Sequence, residues 1–258
     1  MILTFPGQAR LAFYDDAWYP ALYAGRVMMK PTGHRAVVLA SGGLDSTVTA
    51  AMAKQEGCEL FFLTIAYGQR HAVEVDRARQ VAAALGVANH LVMNLDLHAI
   101  GGSALTGLAV VPKDRAGKER CQSIPVTYVP GWNLIFLSSA AAHAEVVGAS
   151  LIYFGANVLD YSGYPDCRPE FIRAFEAAVK EGTKAGREGI PLHVKAPLLM
   201  LTKEEIIRQG IELHVPFHLT HSCYDPVADQ ACGRCDSCLI RREGFAKAGV
   251  VDPIAYAI

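Results

Sequence analysis

Six consecutive residues in the first fifth of the chain form a glycine-rich motif, Ser41-Gly-Gly-Leu-Asp-Ser46. The motif follows a short apolar run and precedes a stretch rich in Ala and Thr, which predicts a turn between a strand and a helix. Glycines let the backbone approach an anion closely, and the free amides at a helix start donate to phosphate. We therefore expect a phosphate-binding loop made of Ala40, Ser41, Gly42, Gly43, Leu44, Asp45, Ser46 and Thr47.

This loop lacks the Lys-Ser/Thr ending of a Walker loop. The charge of a triphosphate must then be offset by backbone amides, by Mg²⁺ near Asp45 and by a lysine from another part of the chain, for which Lys203 is the candidate. We assign catalytic roles to Asp45, Ser46 and Lys203. The alternative interpretation is an ordinary strand-to-helix turn in which Asp45 or Ser46 caps the helix.

Four of the seven cysteines lie close together in the sequence, with eight, two and two residues between them: Cys223, Cys232, Cys235 and Cys238. Such short gaps let four thiolates converge on one ion, and four thiolates complete a tetrahedral zinc site. The zinc would be structural, because no coordination position is left for substrate. Free thiols and an iron-sulfur cluster are the alternatives, although the Cys-Pro continuation of the ferredoxin pattern is missing.

The composition favours small-molecule chemistry. The chain has 258 residues, 52% of them hydrophobic, and 24 Lys and Arg residues against 25 Asp and Glu residues, for a net charge of -1. This is enough apolar material for a buried core, and it lacks the cationic surplus needed to grip a nucleic-acid backbone. No secretory or membrane-spanning stretch is recognisable, so we expect a cytoplasmic protein with reduced thiols and no membrane partner.

Strands and helices alternate along the sequence, and this order predicts how the motifs are positioned. Apolar runs predict strands at 35–40, 60–66, 90–95, 151–154 and 193–198, and helical periodicity appears at 46–55, 72–85, 133–147, 170–180 and 202–210. Thr202 and Glu205 have the spacing of a capping box. Residues 101–130 and 159–169 read as loops. We therefore predict an α/β fold of Rossmann type, with a parallel sheet and helices on both faces.

The loop resembles the pyrophosphatase-type loop of ATP-cleaving enzymes related to asparagine and NAD synthetases. Together with the cysteine set, it resembles the family of 7-cyano-7-deazaguanine synthases over about residues 36–248. Further similar segments are Tyr67-Gly-Gln-Arg-His71, Val129-Pro-Gly-Trp-Asn133, Tyr161-Ser-Gly-Tyr-Pro-Asp-Cys-Arg-Pro169 and Cys232-Gly-Arg-Cys-Asp-Ser-Cys238. In the fourth position of Val129-Pro-Gly-Trp-Asn133 the chain departs from the family, which usually carries Arg where Trp132 stands.

The resemblance implies a reaction and its ligands. It implies ATP-dependent conversion of 7-carboxy-7-deazaguanine and ammonia to 7-cyano-7-deazaguanine, through an adenylated carboxylate and an adenylated amide, in queuosine biosynthesis. ATP, Mg²⁺ and Zn²⁺ are the implied cofactors, and AMP and pyrophosphate the products. Direct contact with nucleic acid is not expected, and a homodimer is left open.

The segment 160–168 is the candidate for binding the substrate base. Asp160 or Asp166 would accept from adjacent N–H donors of a guanine-like ring, and Arg168 would form a fork to the carboxylate substituent. Tyr161 or Tyr164 would stack on the ring. The alternative interpretation is an aromatic turn that shields the end of the sheet.

Three parts follow from these assignments: an extension of unknown role at 1–34, an ATP-binding core at 35–215 and a zinc-binding segment at 216–258. Two other functions remain open from the sequence. One is a tRNA-thiolating enzyme of the same ATP-cleaving superfamily, and the other is a non-catalytic module that binds ATP and zinc.

Overall fold

The computed structural model of the chain describes residues 34–68, 73–115, 124–159 and 164–258. The predicted extension at 1–34 lies outside these ranges except for His34. Within them the chain forms a five-stranded parallel sheet in the order β3-β2-β1-β4-β5, with helices between the strands. The predicted fold class is thereby confirmed.

The strands are β1 (Arg35–Leu39), β2 (Glu59–Ala66), β3 (Asn89–Asn94), β4 (Leu151–Tyr153) and β5 (His193–Lys195). The helices are α1 (Leu44–Gln55), α2 (Val73–Ala84), α3 (Trp132–Val147), α4 (Pro169–Gly182), α5 (Lys184–Arg187), α6 (Lys203–Glu212) and α7 (Asp236–Ala248). Two short 3-10 helices cover Pro165–Cys167 and Phe217–Leu219. Among the helices of the described ranges, none combines the length and apolar character needed to cross a bilayer.

The strand order places a crevice beside β1. From β1 the sheet extends to β2 and β3 on one side and to β4 and β5 on the other. At such a point the connections leaving the two central strands diverge, and ligands of open α/β sheets bind outside the carboxyl ends of those strands. The glycine-rich loop follows β1, and residues 154–157 follow β4, so both lie at this point.

Helices cover both faces of the sheet. One buried cluster joins alternate residues of β1 to α1 and α2: Ala36, Val38, Ala40, Ala50, Ala53, Phe62, Val81 and Ala82 are among its members. The residues in between belong to the opposite face, because side chains alternate along a strand. There Phe61 makes an edge contact with His143 of α3, at 6.5 Å between ring centroids. Continuous apolar strands are thus explained by burial on both sides.

A second buried cluster connects the C-terminal helix to the core. It joins α1, α6 and α7 through Leu44, Val48, Ile206, Ile207, Phe217 and Phe245. Helix α7 was missed by the sequence analysis, because its buried face carries Cys238, Arg241 and Gly244 rather than an apolar stripe.

Most element boundaries differ from the prediction by one to three residues, and two of these differences have a clear physical reason. β5 ends at Lys195, three residues before the predicted end, because its neighbour β4 ends at Tyr153 in register with Lys195. α6 continues past Gly210 to Glu212. Gly210 is required inside the helix, since a Cβ there would lie 2.3 Å from the Phe217 ring.

Gly155 permits a backbone contact that positions α1 against the end of β4. A Cβ at Gly155 would lie 3.0 Å from both the Asp45 carbonyl carbon and the Ser46 nitrogen. We expect Gly155→Ala to lower the free energy of unfolding by about 1–3 kcal/mol through overpacking, as measured by urea denaturation. Gly182→Ala is the control, because nothing lies within 4 Å of a Cβ there. Equal stability of the two variants would contradict the expectation.

Candidate active site and metal centre

The glycine-rich loop forms the turn from β1 into α1, as the sequence predicted. α1 begins at Leu44, and its N-cap is Gly43 in an extended conformation without a side-chain cap. The alternative interpretation, a turn capped by Asp45 or Ser46, does not describe this geometry. The amides at the start of α1 therefore face the crevice without an N-cap side chain over them.

Three hydroxyl groups lie around the amides of this loop. Ser41 N donates to Ser46 Oγ at 3.3 Å, Gly43 N to Ser41 Oγ at 3.2 Å, and Leu44 N to Ser222 Oγ at 3.3 Å. These distances are long for N–H···O hydrogen bonds, which centre on about 2.9–3.0 Å. Charged phosphate oxygens are stronger acceptors than hydroxyls. The Ser41 and Gly43 amides can thus exchange these weak contacts within the loop for contacts with an anion, whereas the contact between Leu44 N and Ser222 joins the loop to a distant segment of the chain.

Gly42 lets α2 pack directly against the loop. Its φ is +76°, and a Cβ there would lie 2.6 Å from Ala78 N and 2.7 Å from Glu74 O. The left-handed conformation and the close backbone contact both require glycine. This position explains one of the two glycines in the motif.

Lys203 lies next to the loop although it is 158 residues from Asp45 in the sequence. Its Nζ is 2.6 Å from Asp45 Oδ1. Lys203 is the first residue of α6, whose start is fixed by the predicted capping box: Thr202 Oγ1 accepts from Glu205 N at 3.3 Å, and Thr202 N donates to Glu205 Oε2 at 2.7 Å. The cap therefore places a cation at the phosphate loop.

A cavity of about 290 Å³ opens where the loop meets the ends of β1, β2 and β4. Of the residues predicted to form the site, those that line it are Ala40, Ser41, Gly43, Leu44, Asp45, Ser46, Tyr164, Asp166 and Lys203. Gly42 and Thr47 belong to the loop but do not line the cavity. The Thr47 hydroxyl instead donates to Gly43 O at 2.8 Å. Arg168 is exposed and outside the lining. Asp160 and Tyr161 lie outside the described residues.

Asp166, in the short 3-10 helix Pro165–Cys167, lines the cavity and contacts the first turn of α3. Its Oδ2 accepts from the backbone N–H of Asn133 at 2.9 Å, and the Asn133 side chain donates to Cys167 Sγ at 3.2 Å. Burial raises the pKa of Asp166 above its usual value, and the Asn133 hydrogen bonds oppose the rise. One carboxylate oxygen is thus engaged with the fold.

Aromatic rings form the remaining wall. The Trp132 ring lies 4.9 Å from that of Tyr67 and 5.6 Å from that of Phe136, measured between centroids. Tyr128 and Tyr164 lie 5.7 Å apart with an interplanar angle of 31°. Burial raises the pKa of Tyr164 to about 12, so its hydroxyl stays protonated at neutral pH. These surfaces suit a planar heterocycle.

Glu74 also lines the cavity, and the sequence analysis did not single it out. It lies in the first turn of α2, and burial raises its pKa to about 7. The available signal was its place just after strand two, at the ligand-binding edge of the sheet. The cavity therefore contains a carboxyl group that changes charge near neutral pH.

The four clustered cysteines are buried and converge on one point. Their Sγ atoms all lie within 4.8 Å of one another, with 4.0 Å between Cys232 and Cys238 and 4.0 Å between Cys223 and Cys235. A tetrahedron of Zn–S bonds of about 2.3 Å requires S···S distances of about 3.8 Å. Backbone N–H groups of Cys232 and Cys235 donate to Cys223 Sγ and Cys232 Sγ at 3.2 and 3.3 Å. The donor set and its dimensions fit zinc.

We expect Glu74 to make stability depend on pH. Its pKa rises from 4.5 to about 7 on folding, so the folded state holds a proton that the unfolded chain releases. The free energy of unfolding should fall by about 1–3 kcal/mol between pH 5 and pH 7 and then level off.

Urea denaturation across this pH range checks the expectation. Glu74→Gln should remove this part of the fall, whereas Glu212→Gln, at an exposed site, should retain it. Parallel pH profiles for the wild type and Glu74→Gln would contradict the assignment.

Comparisons with known proteins agree with this arrangement. The family model described as queuosine biosynthesis protein QueC matches residues 35–249. A 7-cyano-7-deazaguanine synthase from Myxococcus xanthus (strain DK1622) is 60% identical over 223 residues, which cover 86% of this chain and 97% of the relative. One from Anaeromyxobacter sp. (strain Fw109-5) is 56% identical over 230 residues, which cover 89% and 99%.

Among solved structures, a 4-thiouridine synthetase in complex with RNA and ATP aligns with 70% of this chain and 41% of its own, at a TM-score of 0.46 and 20% identity. That similarity is too low to bear on function. The family match spans the loop, Lys203 and all four clustered cysteines, so the chain belongs to the queuosine biosynthesis protein QueC family.

Proposed function

We propose that this protein converts 7-carboxy-7-deazaguanine and ammonia to 7-cyano-7-deazaguanine at the expense of ATP. The observation that carries the proposal is that one cavity is lined both by the phosphate loop and by several aromatic rings. The chain is also 60% identical to a relative named for that product. One site can then bring a nucleotide and a heterocyclic acid together.

The loop would hold the phosphates of ATP. Its amides and the start of α1 offer donors to the β and γ phosphates, and Lys203 adds a positive charge beside them. The Asp45 carboxylate would hold Mg²⁺, which neutralises phosphate charge when bound. Asp45 and Lys203 are paired at 2.6 Å, so nucleotide binding would replace one ionic partner with another for each residue.

The substrate carboxylate would attack the α phosphorus of ATP, which releases pyrophosphate and leaves an acyl-adenylate. Ammonia would displace AMP to give the amide, with loss of a proton. A second ATP would activate the amide oxygen in the same way with release of pyrophosphate, and loss of AMP and of both protons of the amide nitrogen would leave the nitrile. No nucleophilic side chain is needed, because substrate and ammonia supply the attacking atoms.

The protein would accelerate these steps by placement and charge. Donors on the departing pyrophosphate stabilise charge that grows in the transition state, and Ser46 and Lys203 lie where they can act on it. Glu74, with a pKa of about 7, is suited to accept the proton that ammonia loses. Buried aromatic walls keep water from hydrolysing the adenylate.

The base would lie beside Tyr164 and the other aromatic rings, with the Asp166 carboxylate accepting from its N–H groups. Arg168 would bind the carboxylate substituent only from outside the cavity lining, because its side chain is exposed. The roles of Asp160 and Tyr161 rest on the sequence alone.

We assign zinc to the four cysteines as a structural ion. Four thiolates leave no open position, so zinc would supply folding free energy to residues 216–258 and take no part in bond making. The division into a core at 35–215 and this segment is our proposal, as is a cytoplasmic location, where thiolates stay reduced.

The proposed activity can be tested directly. The purified protein is incubated with ATP, Mg²⁺, ammonium and 7-carboxy-7-deazaguanine, and nitrile and AMP are followed by mass spectrometry. We expect both products, and a loss of about 100-fold in rate for Asp45→Ala. Asp76→Ala, at an exposed carboxylate on α2, should retain activity. Absence of both nitrile and AMP would overturn the proposal, and AMP without nitrile would point to another acceptor.

Asp166→Asn tests the base-binding assignment while keeping an oxygen for Asn133 N–H. The exchange removes a charge-assisted contact to the base, so we expect KM for the deazaguanine acid to rise about 10-fold or more. KM for ATP should stay within about twofold, since the loop is untouched. Equal changes in both KM values would remove Asp166 from base recognition.

A further inference from the structure

Two of the three residues before the first cysteine of the metal centre contact the phosphate loop. His221 N donates to Gly42 O at 2.9 Å, and Ser222 Oγ accepts from Leu44 N at 3.3 Å. The next residue is Cys223, which is buried in the four-cysteine centre. Residues 220–222 are here called the connecting tripeptide. Its last residue contacts the loop and is followed directly by a cysteine of the metal centre.

Helix α7, which contains the last cysteine of the metal centre, also contacts the connecting tripeptide. It starts after Cys235 and carries Cys238, and Arg241 follows less than one turn later. The buried Arg241 guanidinium donates to Thr220 Oγ1 at 2.7 Å and forms a bidentate ion pair with Asp252 at 2.8 and 2.9 Å. A planar guanidinium held at several points fixes the position of Thr220 firmly.

The same helix also contacts the lysine at the loop. A Cβ on Gly244 would lie 2.4 Å from Lys203 Cγ, so the lysine stem packs directly on the backbone of α7. Lys203 in turn binds Asp45. A displacement of α7 would therefore reach both the amides of the loop and its cation.

We propose that the four-cysteine centre positions the phosphate loop through the connecting tripeptide and α7, so that metal occupancy and nucleotide binding are coupled. The inference rests on the proposed nucleotide binding and extends it with Ser222, Arg241 and Gly244 as positioning residues. It differs from a purely local structural zinc, whose loss would affect only residues 216–258.

Coupling of two sites is reciprocal at equilibrium, so nucleotide should also stabilise the bound metal. Zinc-loaded wild-type protein is mixed with an excess of a chromophoric chelator, with and without saturating α,β-methylene-ATP. We expect the nucleotide to lower the zinc Kd about fivefold or more, read from the zinc left on the protein once exchange with the chelator has reached equilibrium. Saturation is verified beforehand by calorimetry, and zinc binding by the nucleotide itself is measured in a blank without protein.

Ser222→Ala tests the tripeptide without touching a metal ligand. We expect one zinc per chain, a three- to tenfold weaker nucleotide Kd and a matching rise in KM for ATP with little change in kcat, about what one hydrogen bond provides. Nucleotide should also protect zinc less well in this variant. Ser138→Ala, at an exposed site on α3, is the matched control and should behave as wild type.

Gly244→Ala tests the second route, with zinc content and circular dichroism reporting whether the fold is retained. The outcomes separate the two proposals. Nucleotide binding with an unchanged zinc Kd, and a Ser222→Ala variant indistinguishable from Ser138→Ala, would overturn the coupling and leave the proposed function standing. Failure of the zinc-loaded wild type to bind nucleotide at all would overturn both.

Discussion

The site depends on a run of backbone amides between β1 and α1 that must stay accessible to a phosphate group. Side chains cannot occupy this space, so backbone packs on backbone: Gly42 against α2 and Gly155 against Asp45 and Ser46. Close-packed interiors resist even one added carbon atom. The switch in strand order provides the crevice, and these glycines let the neighbouring segments close around it without filling it.

Charge is the second requirement, and it is met by residues far apart in the sequence. A triphosphate brings several negative charges, and the loop itself offers only partial positive charge from amides and the helix dipole. Lys203 supplies a full charge, and its pairing with Asp45 avoids a half-buried cation without a counter-ion in the free protein. An ion pair that exchanges partners on ligand binding keeps both charges compensated before and after.

Features set by local spacing were predictable. The glycine-rich turn, the Thr202 capping box and the cysteine spacing were read correctly because each is written within about fifteen residues. The alternation of the five strands with helices followed from periodicity, whereas α5 and α7 were not predicted. Predicting Lys203 needed an argument from charge rather than from pattern, and the structure places it at the loop.

What the sequence did not reveal depends on contacts between distant segments. Glu74 enters the cavity only because Gly42 admits α2, and the tripeptide 220–222 reaches the loop across almost 180 residues of chain. The segment 160–168 was treated as one substrate-binding unit, yet its members diverge. Asp166 is buried and accepts a hydrogen bond from Asn133 N in the first turn of α3, whereas Arg168, at the N-cap of α4, is exposed.

Helix α7 shows why a metal suits this part of the fold. Its buried face includes Arg241 and Gly244, which contribute little apolar area, so Phe245 and Ala248 provide most of its apolar contact with the core. The free energy must come from other sources, namely the Arg241–Asp252 ion pair, the Phe217–Phe245 contact and a metal ion binding thiolates at its start. Because the metal is one of these sources, the position of α7 should follow metal occupancy, and the residues it carries beside Lys203 and Thr220 make that dependence reach the nucleotide loop.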